Sequence, residues 1–402
     1  MDTRLRILLV HNYYQIPGGE DTVVANEKKM LEDNGHYVSL YKRNNDELRK
    51  MNFFQKICMP FTAIFSFKTY REIKRIIKSE HIDIVHVHNT LTMVSPSVFY
   101  AALFCKIPVV QTLHNFRMQC PNGLFFRNGH ICEECMNDGL GCAIRHKCYR
   151  NSRIQTMVSA ATIKIHRIIG TYRKVNFICL TEFNKEKLLE LNYVKKGSGL
   201  KKRRRKIIDE KKVFVKPNFT DVEGEKIFFE DRKKQCVFAG RLEEVKGIKL
   251  LLEAWEKIED VKLVVCGTGP LEEWCKDFVK EKKLENVEIK GFTTHDDLIQ
   301  IIKESKALLM PSLWYEGFPM TLAESLACAT PIIGSNIGNV GNLIKNGKNG
   351  WKVNLSKEEI KEKVECLMRS DFNGISSPYT SKINYEILLN CYEKIGEEWK
   401  QK

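Results

Sequence analysis

At 402 residues the chain is long enough for two domains of ordinary size, each with a substantial core. No segment reaches the run of about 18 uncharged apolar residues that a membrane span requires, and MDTRLRILLVHNYY enters a strand-like run with no cleavage site, so neither span nor signal peptide is expected. The fourteen cysteines are then read as thiols or metal ligands of a cytosolic protein rather than disulfides, and the net charge of +15 suits phosphate-bearing substrates, anionic membrane or other polyanions without choosing among them.

Leu5 to Val10 reads as a short apolar strand. Gly18-Gly19 and a helical spacing from Val23 to Asn34 follow. A glycine pair between strand and helix lets backbone approach a ligand closely, although a plain turn explains it equally well. Val38 to Tyr41 is the next strand. Residues 49–79 are basic and aromatic, and are open to two readings: an amphipathic membrane-facing surface, or helices packed on a sheet. Ile82 to His88 and Val109 to His114 are strands ending in histidine. Alternation of strands and helices argues a parallel sheet with ligands at the carboxyl ends of strands, where His88 and His114 both fall.

Cys120, Cys132, Cys135, Cys142 and Cys148 crowd one glycine-rich loop. Cys132 and Cys135 have chelate spacing, flanked by Cys120 and Cys148 at eleven and twelve intervening residues. Structural zinc on Cys120, Cys132, Cys135 and Cys148 is favoured over free thiols, although only one pair is close. A redox pair at Cys132 and Cys135 is disfavoured because no strand-then-helix setting is read around it.

Ser152 to Val175 reads as helix, Phe177 to Thr181 as strand and Lys185 to Leu191 as helix. Residues 195–212, KKGSGLKKRRRKIIDEKK, hold ten basic and two acidic residues, so +8 of the net charge sits there. Such a run is read either as a solvated linker or as a patch for anionic lipid, and nucleic-acid binding lacks interleaved aromatics. Val213 to Asn218 is expected to open a second doubly wound sheet. Its strands are Cys236 to Arg241, Val261 to Cys266, Val287 to Phe292 and Ala307 to Met310. Arg241 and Lys246 would stand at a strand end, where cations neutralise a diphosphate. After Met310 come a loop with Glu316 and a helix from Met320 bearing Glu324, with Pro319 at its first turn. The helix N-terminal amides near Thr321 and Leu322 would favour an anion, so two carboxylates and a phosphate site together suit a nucleotide sugar. An acidic loop beside an ordinary surface helix is the plainer reading of the same two glutamates.

In combination these residues resemble a known family. Phe238-Ala239-Gly240-Arg241 with Lys246-Gly247, Gly267-Thr268-Gly269-Pro270, Glu316-Gly317-Phe318-Pro319 with Glu324, Pro331-Ile332-Ile333 and Gly347-x-x-Gly350 are similar to the retaining glycosyltransferases of GT-B fold, group 1 or family four. They span about 120 residues. The first half matches more loosely through Gly18-Gly19, His88 and His114, and CPNGLFFRNGHICEEC resembles a stretch in some bacterial surface-polysaccharide members.

The resemblance implies an α/β chain of two Rossmann-like domains facing a central cleft: residues 1–192 with a Cys-rich insertion at 120–148, a basic linker at 193–212, a nucleotide-sugar domain at 213–375, and a tail at 376–402 crossing back. It implies a retaining transferase taking UDP- or GDP-sugar to a saccharide or lipid-linked acceptor in cell-surface polysaccharide synthesis, in the cytoplasm at the inner face of the membrane. Arg241 and Lys246 would hold the donor diphosphate, Glu324 the ribose, and Glu316 with the amides of Gly317 and Phe318 the sugar. His114 would contact the transferred sugar, Gly18 and Gly19 would close over the donor, and Gly269 and Phe292 would border it. No catalytic metal and no nucleic-acid partner are expected. Gly338 to Asn342 departs from the family's Gly-Gly-x-x-Glu, and no role is expected for that loop. The alternatives are a nucleotide-sugar epimerase or a phosphorylase of the same fold, or a zinc-bearing nucleic-acid binder.

Overall fold

The computed structural model describes residues 4–15, 18–196, 199–202, 206–222, 226–370, 372 and 375–401, with backbone alone at 195–196, 199–200 and 202. Its strands are β1 (Arg6–Tyr13), β2 (Tyr37–Asn44), β3 (Ile84–Val87), β4 (Val109–Leu113), β5 (Phe126–Arg127), β6 (His130–Ile131), β7 (Asn176–Cys179), β8 (Tyr193–Lys196), β9 (Gly199–Lys202), β10 (Val213–Val215), β11 (Lys233–Ala239), β12 (Lys262–Cys266), β13 (Val287–Gly291), β14 (Ser305–Met310), β15 (Ile332–Ser335) and β16 (Gly350–Val353). The chain divides into two compact units: residues 1–124, 133–217 and 382–402 form the first, and residues 125–132 and 218–381 the second.

The first unit is built on a parallel six-stranded sheet in the order β10-β7-β4-β3-β1-β2. Its inner strands β1, β3, β4 and β7 are buried on both faces, as helices on both sides require, whereas the edge strand β2 is largely half-buried or exposed; Ile7, Leu8, Leu9 and Val10 are all fully enclosed. The sheet order reverses between β1 and β3, the switch point at which α/β sheets open a crevice at their carboxyl ends. The second unit repeats the plan in the order β13-β12-β11-β14-β15-β16, also parallel, with its reversal between β11 and β14.

Three expectations are corrected here. Val213–Val215 does not open the second domain: β10 pairs with β7 in the first sheet, so the boundary falls at Pro217 rather than after Lys212. Residues 193–212 are not a plain solvated linker, because β8 and β9 form an antiparallel hairpin, and Ile207 and Ile208 behind it are buried in the first core. The two isoleucines supply the apolar surface that the flanking charges lack. Residues 203–205, in the middle of the basic run, lie outside the described residues. Finally, residues 125–132 of the Cys-rich stretch, with the β5–β6 hairpin, group with the second unit.

The C-terminal helix Ser381–Lys400 belongs to the first unit from residue 382 onward, where Tyr385 OH lies 2.9 Å from His36 Nε2 and Tyr392 OH 2.7 Å from His86 Nδ1.

Candidate active site

In the second unit three loops at the carboxyl ends of β11, β12 and β14 are bound to one another through backbone. Leu242 N–H donates to Thr268 O (2.9 Å), and Leu313 N–H to Val245 O (2.8 Å). The approach is too close for side chains. A Cβ on Gly247, which has φ +73°, would lie 1.9 Å from Pro311 O, and one on Gly269 would lie 2.4 Å from Leu242 O. Gly269, half-buried, thus permits the close loop-to-loop contact that a side chain would block.

This clamp brings Lys246 to Glu316. Lys246 Nζ lies 2.7 Å from Glu316 Oε1, which also accepts from Ser312 Oγ at 2.7 Å. The Glu316 side chain is 5% exposed and that of Lys246 23%, so the pair is closed on the carboxylate side and open on the ammonium side. Sequence reasoning placed Lys246 on a diphosphate and Glu316 on a sugar without coupling them; the structure makes them partners. Trp314 lies 5.5 Å from the same ammonium, at cation–π distance. Arg241, just past β11, is half exposed, with Nε 3.7 Å from Glu243 Oε2.

Glu316 and Gly317 are held from behind by a residue that sequence reasoning passed over. Asn339 is fully buried, and its Nδ2 donates to both Glu316 O and Gly317 O at 2.6 Å. The loop dismissed for lacking a glutamate therefore carries the side chain that positions Glu316. Phe318 is buried against Tyr379, and its carbonyl accepts from Asn218 Nδ2 at 3.0 Å.

The helix Met320–Ala327 begins after Pro319, which is its N-cap rather than its first turn. The Leu322 amide is not open to an anion, because it donates to Pro319 O at 3.2 Å. Thr321 lies in the first turn of that helix. Glu324 is 5% exposed and meets His295 Nε2 at 3.2 Å, a second partner missed in the sequence. Burial raises the Glu324 carboxyl above the usual range, and the His295 ring opposes that rise. Phe292 is 80% exposed after β13.

The first unit has its own cluster. Gly18 is the N-cap of the helix Gly19–Asp33, and its amide is already donated to Asp21 Oδ2 at 3.0 Å, while Asp21 Oδ1 lies 2.7 Å from His11 Nε2. His114 follows β4, with Nε2 3.0 Å from His88 Nδ1, and its ring stacks on that of His88 with centroids 5.3 Å apart. Both rings line a partly open cavity of about 70 Å³, together with Asn115, Arg117 and Tyr172. Behind them Glu27, fully buried, lies 3.0 Å from His86 Nδ1, 3.2 Å from His88 Nε2 and 2.8 Å from Lys216 Nζ. Burial alone would raise the Glu27 carboxyl, but Lys216, His86 and His88 together hold it well below the usual range. Burial lowers His88 to about 4 and His114 well below the usual imidazole value, so both rings are neutral near pH 7.

Cys120, Cys135 and Cys148 lie in the first unit and Cys132 in the second. The hydrogen bond that the Cys135 thiol donates to Cys120, and then burial, push that thiol up, with Cys148 close enough to add to the rise. Among the described residues, the one group of three or more His, Cys, Asp or Glu ligand atoms within 4.8 Å of one another is Glu27, His86 and His88. Contrary to the reading of their surroundings, Cys132 directly follows a short strand, β6, and Cys135 lies within the one-turn helix Glu134–Asn137.

Residues 220–379 match the family described as glycosyl transferases group 1, and residues 17–134 match glycosyltransferase family 4; together these cover more than half of the chain. The chain belongs to the group 1 glycosyltransferases, with the GT-B fold. An uncharacterised glycosyltransferase of Methanocaldococcus jannaschii is 23% identical over 98% of both chains. Among solved structures, a glycosyltransferase of Rickettsia africae superposes with a TM-score of 0.62 at 18% identity, over 99% of this chain and 98% of that one. Anabaena HepE in complex with UDP-glucose superposes with a TM-score of 0.59 at 13% identity, over 99% and 100%. These findings leave the epimerase, phosphorylase and nucleic-acid-binder alternatives without support. No helix among the described residues is long and apolar enough to cross a membrane.

Proposed function

We propose that the protein is a retaining glycosyltransferase that moves a sugar from a nucleoside-diphosphate sugar to a saccharide or lipid-linked acceptor, in the synthesis of a cell-surface polysaccharide at the inner face of the membrane. The observation that carries this reading is the Lys246–Glu316 pair at the switch point of the second sheet, buried on one side and open on the other. UDP is the favoured nucleotide over GDP, since Anabaena HepE was solved with UDP-glucose.

On this reading Arg241 and Lys246 take the diphosphate, whose charge grows as the glycosidic bond breaks. Glu316 holds the Lys246 ammonium in place and leaves its exposed side for phosphate oxygens. The two cations supply the neutralisation that a divalent metal would otherwise give. Glu324 accepts from the ribose hydroxyls, and His114 meets the sugar. The departing diphosphate accepts the acceptor's proton on the same face, which retains configuration.

Thermal shift with UDP and GDP, followed by transfer assays over a nucleotide-sugar panel, tests the reading. Lys246→Ala and Arg241→Ala are each expected to lower kcat/KM for the true donor by about ten- to a hundredfold. Full activity in both variants would refute it.

Cys120, Cys132, Cys135 and Cys148 are also proposed as ligands of a structural zinc. Support comes from the thiol donor set and the mutual contact of Cys120 and Cys135. About one equivalent of zinc in purified protein is the expected result, and freely titrating thiols in active, metal-free protein would remove the site.

A further inference from the structure

The helix Phe53–Ile64 buries one residue of its twelve, Ala63. Phe53, Phe54, Ile57 and Phe61 are 72%, 77%, 54% and 72% exposed. Single exposed phenylalanines are ordinary on a protein surface, but four large apolar side chains on three turns make a patch. The helix is not a frayed end. Asn52 Oδ1 accepts from Gln55 N–H at 2.9 Å while Gln55 Oε1 accepts from Asn52 N–H at 3.0 Å, and Ile64 O lies 3.1 Å from His166 Nε2 of the helix Arg153–Ile169. That second helix extends the patch with exposed Ile154, Met157, Ile168 and Ile169. Beyond it exposed Phe67 and Phe104 border a groove of about 540 Å³, with Phe65, Tyr70 and Tyr100 in its walls.

Charge tells what covers this face. From Leu48 to Arg71 there is no acidic residue, and Arg49, Lys50, Lys56, Lys68 and Arg71 are all exposed. From Gly139 to Thr181 there is again none, with exposed Arg153, Lys164, Arg173 and Lys174. Two acid-free stretches far apart in sequence thus meet on one surface, where exposed aromatic rings sit among cations. Lys74 Nζ lies 3.7 Å from the Phe104 ring centre, showing how the cations border the rings. Acids stand only at the edge of this face, where Asp46 lies 3.9 Å from Arg49 and Glu72 4.0 Å from Lys68, so a sheet of anionic headgroups over acyl chains suits it better than a protein surface of mixed charge. Twelve residues span about 18 Å, too little to cross a bilayer, so the helix can only lie along the boundary.

We infer that this face of the first unit docks on an anionic lipid bilayer, with Phe53, Phe54 and Phe61 inserted at the acyl boundary and the basic side chains on lipid phosphates. The inference deepens the membrane location proposed above, but the contact involves neither the donor residues nor nucleotide, so its failure would leave the transfer chemistry standing.

The test is cosedimentation of the full chain with phosphatidylcholine vesicles with and without phosphatidylglycerol. The wild type is expected to bind the phosphatidylglycerol vesicles, to ignore pure phosphatidylcholine, and to release at high salt. Phe53→Ser, Phe54→Ser and Phe61→Ser combined should lower partitioning on the order of a hundredfold, and Lys56→Glu with Lys68→Glu about tenfold or more, with Tm unchanged in both. Wild type that does not bind, or a triple variant that binds equally well, overturns the inference. So does a concentration-dependent dimer that the triple variant abolishes while vesicle binding persists, because the patch would then be a contact between copies.

Discussion

Glu27 and Glu316 are both buried carboxylates with a lysine partner, at 2.8 Å from Lys216 and 2.7 Å from Lys246. Their surroundings differ. Glu27 sits in mid-helix with Lys216 fully enclosed, and two histidines and the C-terminal helix complete the shell through Asn384 Oδ1, which accepts from Lys216 Nζ at 3.0 Å. Glu316 sits in a loop, and its lysine reaches solvent. A pair enclosed on both sides holds secondary structure together and offers no side to a ligand. A pair enclosed only on the acid side holds a cation at a fixed place where an anion can reach it. The same two residue types thus serve cohesion in one unit and candidate chemistry in the other.

The comparison is broken most directly by removing each acid. Glu27→Gln leaves the Lys216 ammonium buried without a counter-charge, and about 3–5 kcal/mol of stability should be lost in denaturant unfolding. Glu316→Gln leaves Lys246 free to turn to water, at a cost of about 0–1 kcal/mol, while transfer activity falls. Equal losses from the two variants would show that exposure of the lysine does not distinguish the sites.

The next effect is on pH dependence, and it belongs to the first unit. His88 is lowered to about 4 in the folded state, first by burial. Unfolded, the same ring takes a proton near 6.5, so the unfolded chain binds more protons between those values and stability falls as pH drops through that window. The loss reaches up to about 3 kcal/mol by pH 4, with His114 shifted in the same direction. Hydrogen exchange of β3 and β4 at pH 7 and pH 5 reads it locally. Protection unchanged at pH 5 would mean that the rings open to water without unfolding.

Asn339→Ala carries a smaller effect in the second unit. Two carbonyls lose their donor and the Glu316 loop loosens, which should lower kcat/KM by about ten- to a hundredfold. Asn339→Asp should not restore it, since a carboxylate cannot donate to two carbonyls. Activity recovered in the Asp variant would show that the side chain fills space rather than positions Glu316.

Both parallel sheets were legible in the sequence, because apolar runs buried on two faces and punctuated by glycine repeat in each half. What escaped was set at long range. Three residues, Val213 to Val215, read as strand but carry nothing that says which sheet they join. Glu27 did leave a trace: with Val23, Val24, Met30 and Leu31 it shares the buried face of its helix, where an acid needs a partner. His86 lies likewise between apolar neighbours in β3. Their common partner Lys216 is 189 residues from Glu27, and no local pattern joins them. Asn339 was missed because a family motif was sought and its absence taken as lack of a role. Donation to two carbonyls requires only an amide in the right place.

The smallest effect concerns the second carboxylate of the site. Glu324 is buried and His295, its partner at 3.2 Å, is 58% exposed, so the pair is weak at neutral pH. Burial raises the Glu324 carboxyl and His295 opposes that rise. On the proposed reading the ionised form is needed to accept from the ribose hydroxyls. His295→Ala removes the opposing influence, so the carboxyl climbs further and takes its proton at a higher pH. Donor KM should then rise only a few-fold at pH 7.5, and increasingly toward pH 5, with kcat nearly constant because ribose is bound alike in ground and transition states. Glu324→Ala should instead raise KM about ten- to a hundredfold at every pH, since the acceptor atoms are gone. A His295→Ala profile parallel to wild type across the acid limb would show that the histidine does not tune Glu324.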